Sequence, residues 1–297
     1  MTMGKVGFHF LKAWADFNSV LPFWLLYLKS DLVYVLTYHV AHYRRKVVKN
    51  NLLRSFPEKG PKELKTIEKR FYHNLCDLIV ETPKVLRMGE NGFKKRVSIS
   101  NPELITALYG QGKSVFYSAP HSGNWEWFAK MMPDFSAHNC LAVYKRVKNP
   151  AFEQLMLEMR TKDCQLEMVE SNSALRRLVQ LRDKQNAVLM VADQSSFGLP
   201  SDYWTEFLHQ DTCWFTGLER IAKKLDYAVV FVDMKRQGRG RYEVTFQLIT
   251  DDPKNTPDGF IMEQYVRCVE RFIQVQPDNW LWSHRRWKHL RPQNTKQ

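Results

Sequence analysis

The stretch that decides the fold reads Ser114-Val-Phe-Tyr-Ser-Ala-Pro-His-Ser-Gly-Asn-Trp-Glu-Trp127. It opens with an apolar run, Val115 to Ala119, whose length and whose β-branched and aromatic residues predict a buried strand. Pro120 ends that strand, and the Gly-Asn pair shortly after it favours a turn. A helix is predicted to begin near Trp125. The stretch therefore has the form of a strand, a turn and a helix.

His121 and Glu126 lie in this unit, and their positions predict a base and its orienting group. On one regular helix, five residues rotate by about 500°, so the two side chains would point about 140° apart. With His121 on the turn and Glu126 in the first helical turn, the carboxylate can fold back onto the ring, fix its tautomer and stabilise the imidazolium. Such a dyad suits removal of a proton from a hydroxyl that attacks an acyl carbonyl. A purely structural alternative stays open, in which His121 satisfies a buried loop and Glu126 is placed by the helix dipole.

The segment from His121 to Glu126 resembles the His-x4-acid signature of glycerolipid-type acyltransferases, and it is most similar to the late lipid A acyltransferases that add lauroyl or myristoyl chains. Residues 43–57, 144–150, 193–194 and 280–288 resemble further blocks of that family, in the expected order. The resemblance implies acyl carrier protein as the donor and a hydroxyl of a lipid A precursor as the acceptor. It also implies a membrane-associated enzyme at the cytoplasmic face of the bacterial inner membrane.

Composition limits the partners and the compartment. The 297 residues suffice for one sizeable core, and the formal charge of +13 implies an anionic partner such as a phospholipid surface, a phosphorylated glycolipid, an acidic carrier protein or nucleic acid. The five cysteines form no Cys-x-x-Cys pair, which favours a reducing compartment over a disulfide framework. The histidines lack ligand spacing, so neither a metal site nor a bound cofactor is expected.

Residues 1–45 are predicted to form an interfacial membrane anchor, and residues 46–297 an acyltransferase domain. The first forty residues are rich in large apolar groups, but Lys29, Ser30 and Asp31 interrupt them before the roughly 20 residues that a span needs. An amphipathic or re-entrant segment at the interface is therefore predicted, and cations at positions 44–49 would meet an anionic leaflet. The aromatic residues expected at headgroup depth are Trp14, Trp24, Tyr27, Tyr34 and Tyr38. The alternative is an apolar helix packed on the body of the protein.

From Val97 onward, short apolar runs alternate with amphipathic segments, which predicts an α/β fold with a central, mostly parallel sheet flanked by helices. Strands are expected near residues 115–118, 141–144, 166–169, 188–192 and 229–233, with 242–249 added antiparallel. Ligands collect at the carboxyl ends of such strands. Polar residues follow three of these ends, namely His121, the set Tyr144-Lys145-Arg146, and the pair Asp193-Gln194. We expect these three sets to line one cleft.

Six residues are candidates for substrate binding beside the dyad, namely Tyr144, Lys145, Arg146, Arg160, Asp193 and Gln194. Lys145 and Arg146 could hold phosphates of a glycolipid or of a phosphopantetheine arm, although a solvated loop is an equal alternative. Asp193 and Gln194 could complete the acceptor site or orient another group, or Asp193 could cap a strand end. Arg160 is a candidate through the resemblance alone, because the family has a functional arginine at the matching position.

Near the end of the chain, Trp280, Trp282 and Trp287 alternate with cationic side chains. Such a pattern suits either single-stranded nucleic acid or a bilayer interface, and the apolar amino terminus favours the membrane. No nucleic-acid partner is therefore expected. The segment Phe207-Leu-His-Gln replaces the Phe-Phe-Gly type element of the family, which leaves the acyl chain length open.

Two other enzyme hypotheses and one of a different class stay open at this stage. The same chemistry could acylate an oxygen or nitrogen of another glycolipid or aminolipid. It could also acylate a lysophospholipid or glycerol phosphate. The chain could instead be a catalytically silent membrane-binding protein that keeps the fold.

Overall fold

A computed structural model describes residues 3–292, with side chains from residue 7 onward. Nine strands are present in the described part of the chain: β1 (Val97–Ile99), β2 (Val115–Ala119), β3 (Asn139–Tyr144), β4 (Leu166–Glu170), β5 (Asn186–Val191), β6 (Tyr203–Phe207), β7 (Gln210–Trp214), β8 (Ala228–Gly238) and β9 (Arg241–Thr250). Seven of them form one sheet in the order β1-β9-β8-β2-β5-β3-β4, and β6 and β7 form a separate hairpin. Only the β8–β9 pair in the large sheet is antiparallel. The predicted mostly parallel α/β sheet is confirmed.

Helices cover both faces of this sheet. Their bounds are α1 (Met3–Val20), α2 (Phe23–Tyr34), α3 (Arg45–Ser55), α4 (Pro61–Glu81), α5 (Glu90–Lys94), α6 (Glu103–Gly110), α7 (Trp125–Phe135), α8 (Pro150–Thr161), α9 (Ala174–Gln180), α10 (Gly217–Leu225) and α11 (Phe260–Val275). Two separate apolar clusters of buried residues pack against the strands. A strand covered on both faces carries apolar residues throughout, and all five residues of β2 are buried.

Apolar residues recur at spacings of three and four from Pro61 to Met88, which predicts one helix, but the α-helix in the structure is shorter. Its apolar stripe is buried as expected at Leu64, Ile67 and Phe71. The α-helix ends at Glu81 and continues as a 3₁₀ turn through Leu86. Pro83 lacks the N–H that an α-helix interior requires, which explains the change.

The hairpin of β6 and β7 escaped the sequence analysis because its turn lacks the usual residues. Leu208 and His209 connect the two strands, and both have positive φ, at 49° and 63°. Two-residue hairpin turns of this kind favour Asn, Asp and Gly, so a Leu-His pair gives no turn signal.

The amino-terminal segment packs onto the body of the protein. It comprises α1, α2 and a π-helical turn over Val35–Val40. Arg236 and Arg239, from the end of β8 and the turn after it, both bond the carboxylate of Asp77, which also accepts from Ser30 on α2. None of the described helices is long and apolar enough to cross a membrane. The domain boundary at residue 45 stays a prediction, and its outer limits at residues 1 and 297 lie outside the described residues.

Three of the aromatic residues expected at headgroup depth are directed inward instead. Tyr34 and Tyr38 are only 8% and 2% exposed, and the Tyr27 hydroxyl donates to Glu81 at 3.1 Å. Their rings pack against neighbouring aromatic and charged groups, and such contacts stabilise the buried position of the rings. Trp14 and Trp24 are exposed, as the prediction required.

Candidate active site

His121 and Asp193 meet at the carboxyl edge of the sheet. His121 follows β2 after Pro120, and Asp193 follows β5 after Ala192. The two strands are parallel neighbours in which Ala119 pairs with Val191. Because parallel strands end at the same edge, residues one or two positions beyond them lie side by side. The sheet therefore brings together two side chains that are 72 positions apart.

The carboxylate of Asp193 accepts three hydrogen bonds. Oδ1 lies 2.5 Å from Nδ1 of His121, while Oδ2 accepts from the backbone N–H of His121 at 2.9 Å and from Nε1 of Trp280 at 2.7 Å. Asp193 is 2% exposed. Burial on its own would raise the pKa of Asp193, but the charge and hydrogen bonds of His121 and the Trp280 indole bring that pKa below its usual value. An ionised Asp193 therefore faces the imidazole.

This pairing determines the tautomer of His121. An ionised carboxylate can only accept, so Nδ1 carries the proton and Nε2 keeps its lone pair. The side-chain amide of Gln194 lies 3.3 Å from Nε2, and the Trp125 ring packs edge-on at 5.1 Å between centroids. The imidazole side chain is 18% exposed. The structure thus keeps Nε2 as the basic nitrogen of a partly exposed ring.

The predicted contact between Glu126 and His121 is wrong. The described residues show no hydrogen bond or ion pair between them, and Arg160 instead binds Glu126 in bidentate fashion, with Nη2–Oε1 at 2.7 Å and Nε–Oε2 at 2.8 Å. Trp125 also donates its indole N–H to Glu126 at 3.2 Å. A planar guanidinium matches both carboxylate oxygens, which a single ring nitrogen cannot do. Burial opposes ionisation of Glu126, but the Arg160 charge outweighs it and lowers the pKa of the carboxyl, with a smaller contribution from His121.

The turn between the two pairs depends on Gly123. Its φ is +58°, and a Cβ there would lie 2.8 Å from the backbone oxygen of Met234. The N–H of Gly123 donates to Oδ1 of Asn279 at 3.1 Å. Asn124 then begins α7 by accepting from the N–H of Trp127 at 3.1 Å. The turn is consequently held against β8 and the carboxy-terminal segment.

Glu81, at the end of α4, holds this turn through a hydrogen bond from Asn124. It is fully buried and accepts from Asn124 at 3.0 Å, from Tyr242 at 2.7 Å and from Tyr27. Burial raises the pKa of Glu81 above the usual carboxyl value. The apolar stripe of α4 predicts only a helix that faces the core and gives no signal for this role of Glu81.

A cleft of about 20 Å³ borders His121, Trp125 and the apolar side chains of Phe71, Leu75 and Leu78 on α4. That volume admits about one water molecule. An acyl chain can enter only if side chains along α4 move aside.

A family model described as bacterial lipid A biosynthesis acyltransferase matches residues 9–289. The chain belongs to this family. No curated protein sequence matches the chain closely enough to serve as a relative. The match confirms the resemblance drawn from the sequence motifs, and the protein is an acyltransferase of lipid A biosynthesis.

The remaining predicted binding residues of this acyltransferase are divided between two places. Gln194 lies beside the His121 ring, and Tyr144 is the last residue of β3 at the same sheet edge. Lys145 is exposed with its ammonium 5.9 Å from the Phe197 ring, and Arg146 borders a separate surface cavity of about 480 Å³. The three polar sets share one sheet edge, but the described contacts do not join Lys145 or Arg146 to His121.

Two of the three tryptophans near the carboxy terminus are buried in the protein, whereas the sequence pattern favoured a bilayer interface for them. Trp280 and Trp282 are 2% and 0% exposed, and Arg286 is 1% exposed over the Trp214 ring. Burial lowers the pKa of Arg286 to about 10. Aromatic rings spaced among cations suit either an interface or a packed turn, so the sequence pattern alone does not separate the two.

The same segment supplies site residues that the sequence analysis missed. Trp280 and Asn279 bond Asp193 and the Gly123 turn, and Nε2 of His284 accepts the backbone N–H of Ser195 at 3.1 Å. Burial lowers the pKa of His284 to about 4, so the ring stays neutral and can accept. The only available signal was the family block that contains these residues.

Proposed function

We propose that this acyltransferase moves a lauroyl- or myristoyl-type chain from acyl carrier protein to a hydroxyl of a lipid A precursor, at the cytoplasmic face of the bacterial inner membrane. One observation carries the proposal. His121 has its Nδ1 hydrogen bonded to a buried carboxylate, its Nε2 lies beside an exposed amide, and its ring borders a cleft. That arrangement supports a general base for an alcohol.

The reaction needs no covalent enzyme intermediate. Nε2 of His121 takes the proton of the acceptor hydroxyl while the oxygen attacks the thioester carbonyl carbon. Collapse of the tetrahedral intermediate breaks the carbon–sulfur bond, and the imidazolium returns its proton to the leaving thiolate. Asp193 stabilises the imidazolium between these two transfers. Gln194, beside Nε2, is placed to hydrogen bond the incoming oxygen.

Glu126 has a different role in this scheme. Its pairing with Arg160 fixes the first turn of α7, which carries Trp125 against the imidazole. Glu126 is ionised but pairs with the cationic Arg160, so its effect on the imidazolium is small beside that of Asp193. The contact carboxylate is Asp193, and Glu126 acts through space.

Exposed apolar side chains along α1, α2 and the π-helical turn after them support attachment to a membrane. We call this set the amino-terminal apolar surface, and its exposed members are Phe10, Trp14, Phe17, Val20, Trp24, Leu28, Leu32, Val35, Leu36, Val40 and Tyr43. Exposed patches of this kind mark interaction sites, and an interfacial segment buries such side chains among lipid headgroups. Cations at positions 44–46 follow the surface directly.

The test of the reaction uses purified protein, acyl carrier protein loaded with a lauroyl or myristoyl chain, and a lipid A precursor in detergent. Mass spectrometry should find one added acyl chain with the wild type and none with His121→Ala. A deletion strain should lack the same chain in its lipid A. Unchanged lipid A together with loss of another acylated lipid would refute the proposed acceptor.

Membrane attachment is tested separately by flotation with vesicles that contain phosphatidylglycerol. Trp24→Glu combined with Leu28→Glu should abolish flotation, because both side chains lie in the amino-terminal apolar surface. Val275→Glu changes a side chain of similar exposure at the end of α11 and should float like the wild type. Equal flotation of all three proteins would contradict this attachment surface.

A further inference from the structure

A second cavity lies between α3 and α4, apart from the cleft beside His121. Its volume is about 840 Å³, against about 20 Å³ for that cleft. Apolar side chains from both helices form part of its wall, and they are Val47, Leu52, Leu53, Pro61 and Leu64. A cavity of this size is within the range of small-molecule sites. We call it the α3–α4 cavity.

Cations dominate the rest of the wall. It contains Arg44, Arg45, Lys46, Lys49, Lys65 and Arg285, against the single carboxylate of Glu68. Arg45 and Lys65 both pair with Glu68, at 3.2 and 3.1 Å. The side chains of Lys46, Lys49 and Arg285 have no hydrogen bond or ion pair to any described residue of the chain. A surplus of cations beside an apolar wall is complementary to an anionic amphiphile.

The α3–α4 cavity is linked to the catalytic loop through residues 283–285. Arg44 donates to the carbonyl of Ser283 at 3.0 Å, and Asn51 on α3 donates to the carbonyl of His284 at the same distance. On the other side of this segment, the Ser195 hydroxyl donates to the carbonyl of Arg285 at 3.0 Å. Ser195 directly follows Gln194, whose amide faces His121. One short segment therefore separates the cavity wall from the catalytic histidine.

The amino-terminal apolar surface ends at the rim of this cavity. Val40 and Tyr43 are 68% and 45% exposed, and the next residue, Arg44, already lines the cavity. A cation that directly follows a bilayer-facing apolar segment lies at phosphate depth. The rim would thus open where lipid headgroups are found.

We propose that the α3–α4 cavity binds a phosphorylated sugar of the acceptor glycolipid, with the phosphate on Lys46, Lys49 and Arg285 and a hydrocarbon chain against Leu53 and its apolar neighbours. This proposal rests on the proposed function, since it takes the acceptor of that reaction as the occupant. The link from Arg285 to Ser195 favours the acceptor over bulk phospholipid, because it joins the cavity to the reacting site. The concave apolar wall favours a lipid over an acidic protein, which would dock on an open surface.

The test compares acceptors with and without phosphate. Lys46→Gln combined with Lys49→Gln should raise KM for a phosphorylated lipid A precursor by about 30-fold, as expected for two cations at a lipid phosphate, and leave kcat nearly unchanged. With the dephosphorylated precursor the same variant should match the wild type. Lys62→Gln combined with Lys69→Gln is the matched control, because it removes two exposed charges from α4 outside the cavity.

Two results would overturn the proposal. One is an unchanged KM of the Lys46/Lys49 double variant for the phosphorylated precursor. The other is an effect that appears only when phosphatidylglycerol is present in the micelle, since that dependence identifies a general membrane contact. Leu53→Gln tests the apolar wall and should weaken binding of the acylated precursor more than binding of its deacylated sugar phosphate.

Direct binding separates this proposal from the proposed reaction. Neutral phosphatidylcholine vesicles doped with the phosphorylated precursor should recruit the wild type more strongly than the Lys46/Lys49 double variant. If the wild type transferred no acyl chain to the precursor and this difference persisted, the cavity would stand and the proposed reaction would fail. Equal recruitment of both proteins would refute the cavity even if transfer occurred.

Discussion

Two charged pairs lie on either side of the turn at Gly123, and they differ in how far their hydrogen-bonding groups are already occupied. Among the described side chains, Nε2 of His121 has only the exposed amide of Gln194 within hydrogen-bond distance, whereas the Glu126–Arg160 pair uses both carboxylate oxygens and two guanidinium nitrogens on each other. A ring nitrogen that contacts only an exposed amide can bind a substrate hydroxyl. A carboxylate that is fully bonded to a guanidinium stabilises the local fold instead. The comparison teaches that an acid at motif spacing need not be the acid that contacts the base.

Asp193→Asn should have the largest effect, with kcat falling about a thousandfold while the fold is kept. Oδ2 accepts from two donors, the His121 N–H and the Trp280 indole, so the amide oxygen must occupy that position. The amide NH2 then faces Nδ1 and forces the proton onto Nε2, which removes the base. Steady-state acyl-transfer kinetics measure the loss. A variant that kept more than a tenth of kcat would assign the orienting role elsewhere.

Gly123→Ala tests the turn that separates the pairs and should cost about 3 kcal/mol of unfolding free energy, from a left-handed φ combined with contact against the Met234 carbonyl. Gly112→Ala is the matched control, because Gly112 has φ +75° but nothing within 4 Å of the added Cβ. It should cost only about 1 kcal/mol. Urea unfolding gives both values, and equal losses would show that the Met234 contact is absent.

Glu126→Gln should cost about 2 kcal/mol of stability and about tenfold in kcat, because Arg160 loses a buried anionic partner. Adding Arg160→Gln should restore much of the stability and part of the rate, because it removes the unpaired cation that opposes the imidazolium. Urea unfolding and kinetics on the single and double variants measure both recoveries. A kcat loss for Glu126→Gln larger than that for Asp193→Asn would reverse the comparison between the two pairs.

His284→Gln should have the smallest effect and should change stability with pH. Burial lowers the pKa of His284 from 6.5 to about 4, so the unfolded chain binds a proton in that interval that the folded chain does not. The stability contributed by the neutral ring is complete above pH 6.5 and is lost as pH falls toward 4. Glutamine keeps an acceptor for Ser195, so the wild type should lose about 1 kcal/mol more than the variant over this interval. Parallel pH curves would contradict the neutral ring.

The parts of the fold and site that the sequence predicted have local causes. The strands β2 and β5 are continuous apolar runs, and the residues that follow them had to meet at one edge of a parallel sheet. That rule predicts from the sequence alone that His121 and Asp193 lie in one cleft. The pairing itself was assigned wrongly, because spacing along the chain was preferred to adjacency across strands. The Leu-His turn and the buried Trp280 segment could not be predicted, since their conformations depend on long-range packing.

The hydrogen bonds at Asp77 bear on which hydroxyl of a lipid the enzyme can acylate. Arg236, Arg239 and Ser30 all donate to that carboxylate, so α2 and α4 are held firmly against the end of β8. If the amino-terminal segment lies on a bilayer, these contacts would fix the distance between the His121 ring and the lipid surface. A hydroxyl at a different depth in the bilayer would then lie out of reach of the ring, so the rigid contact itself would select which alcohol is acylated.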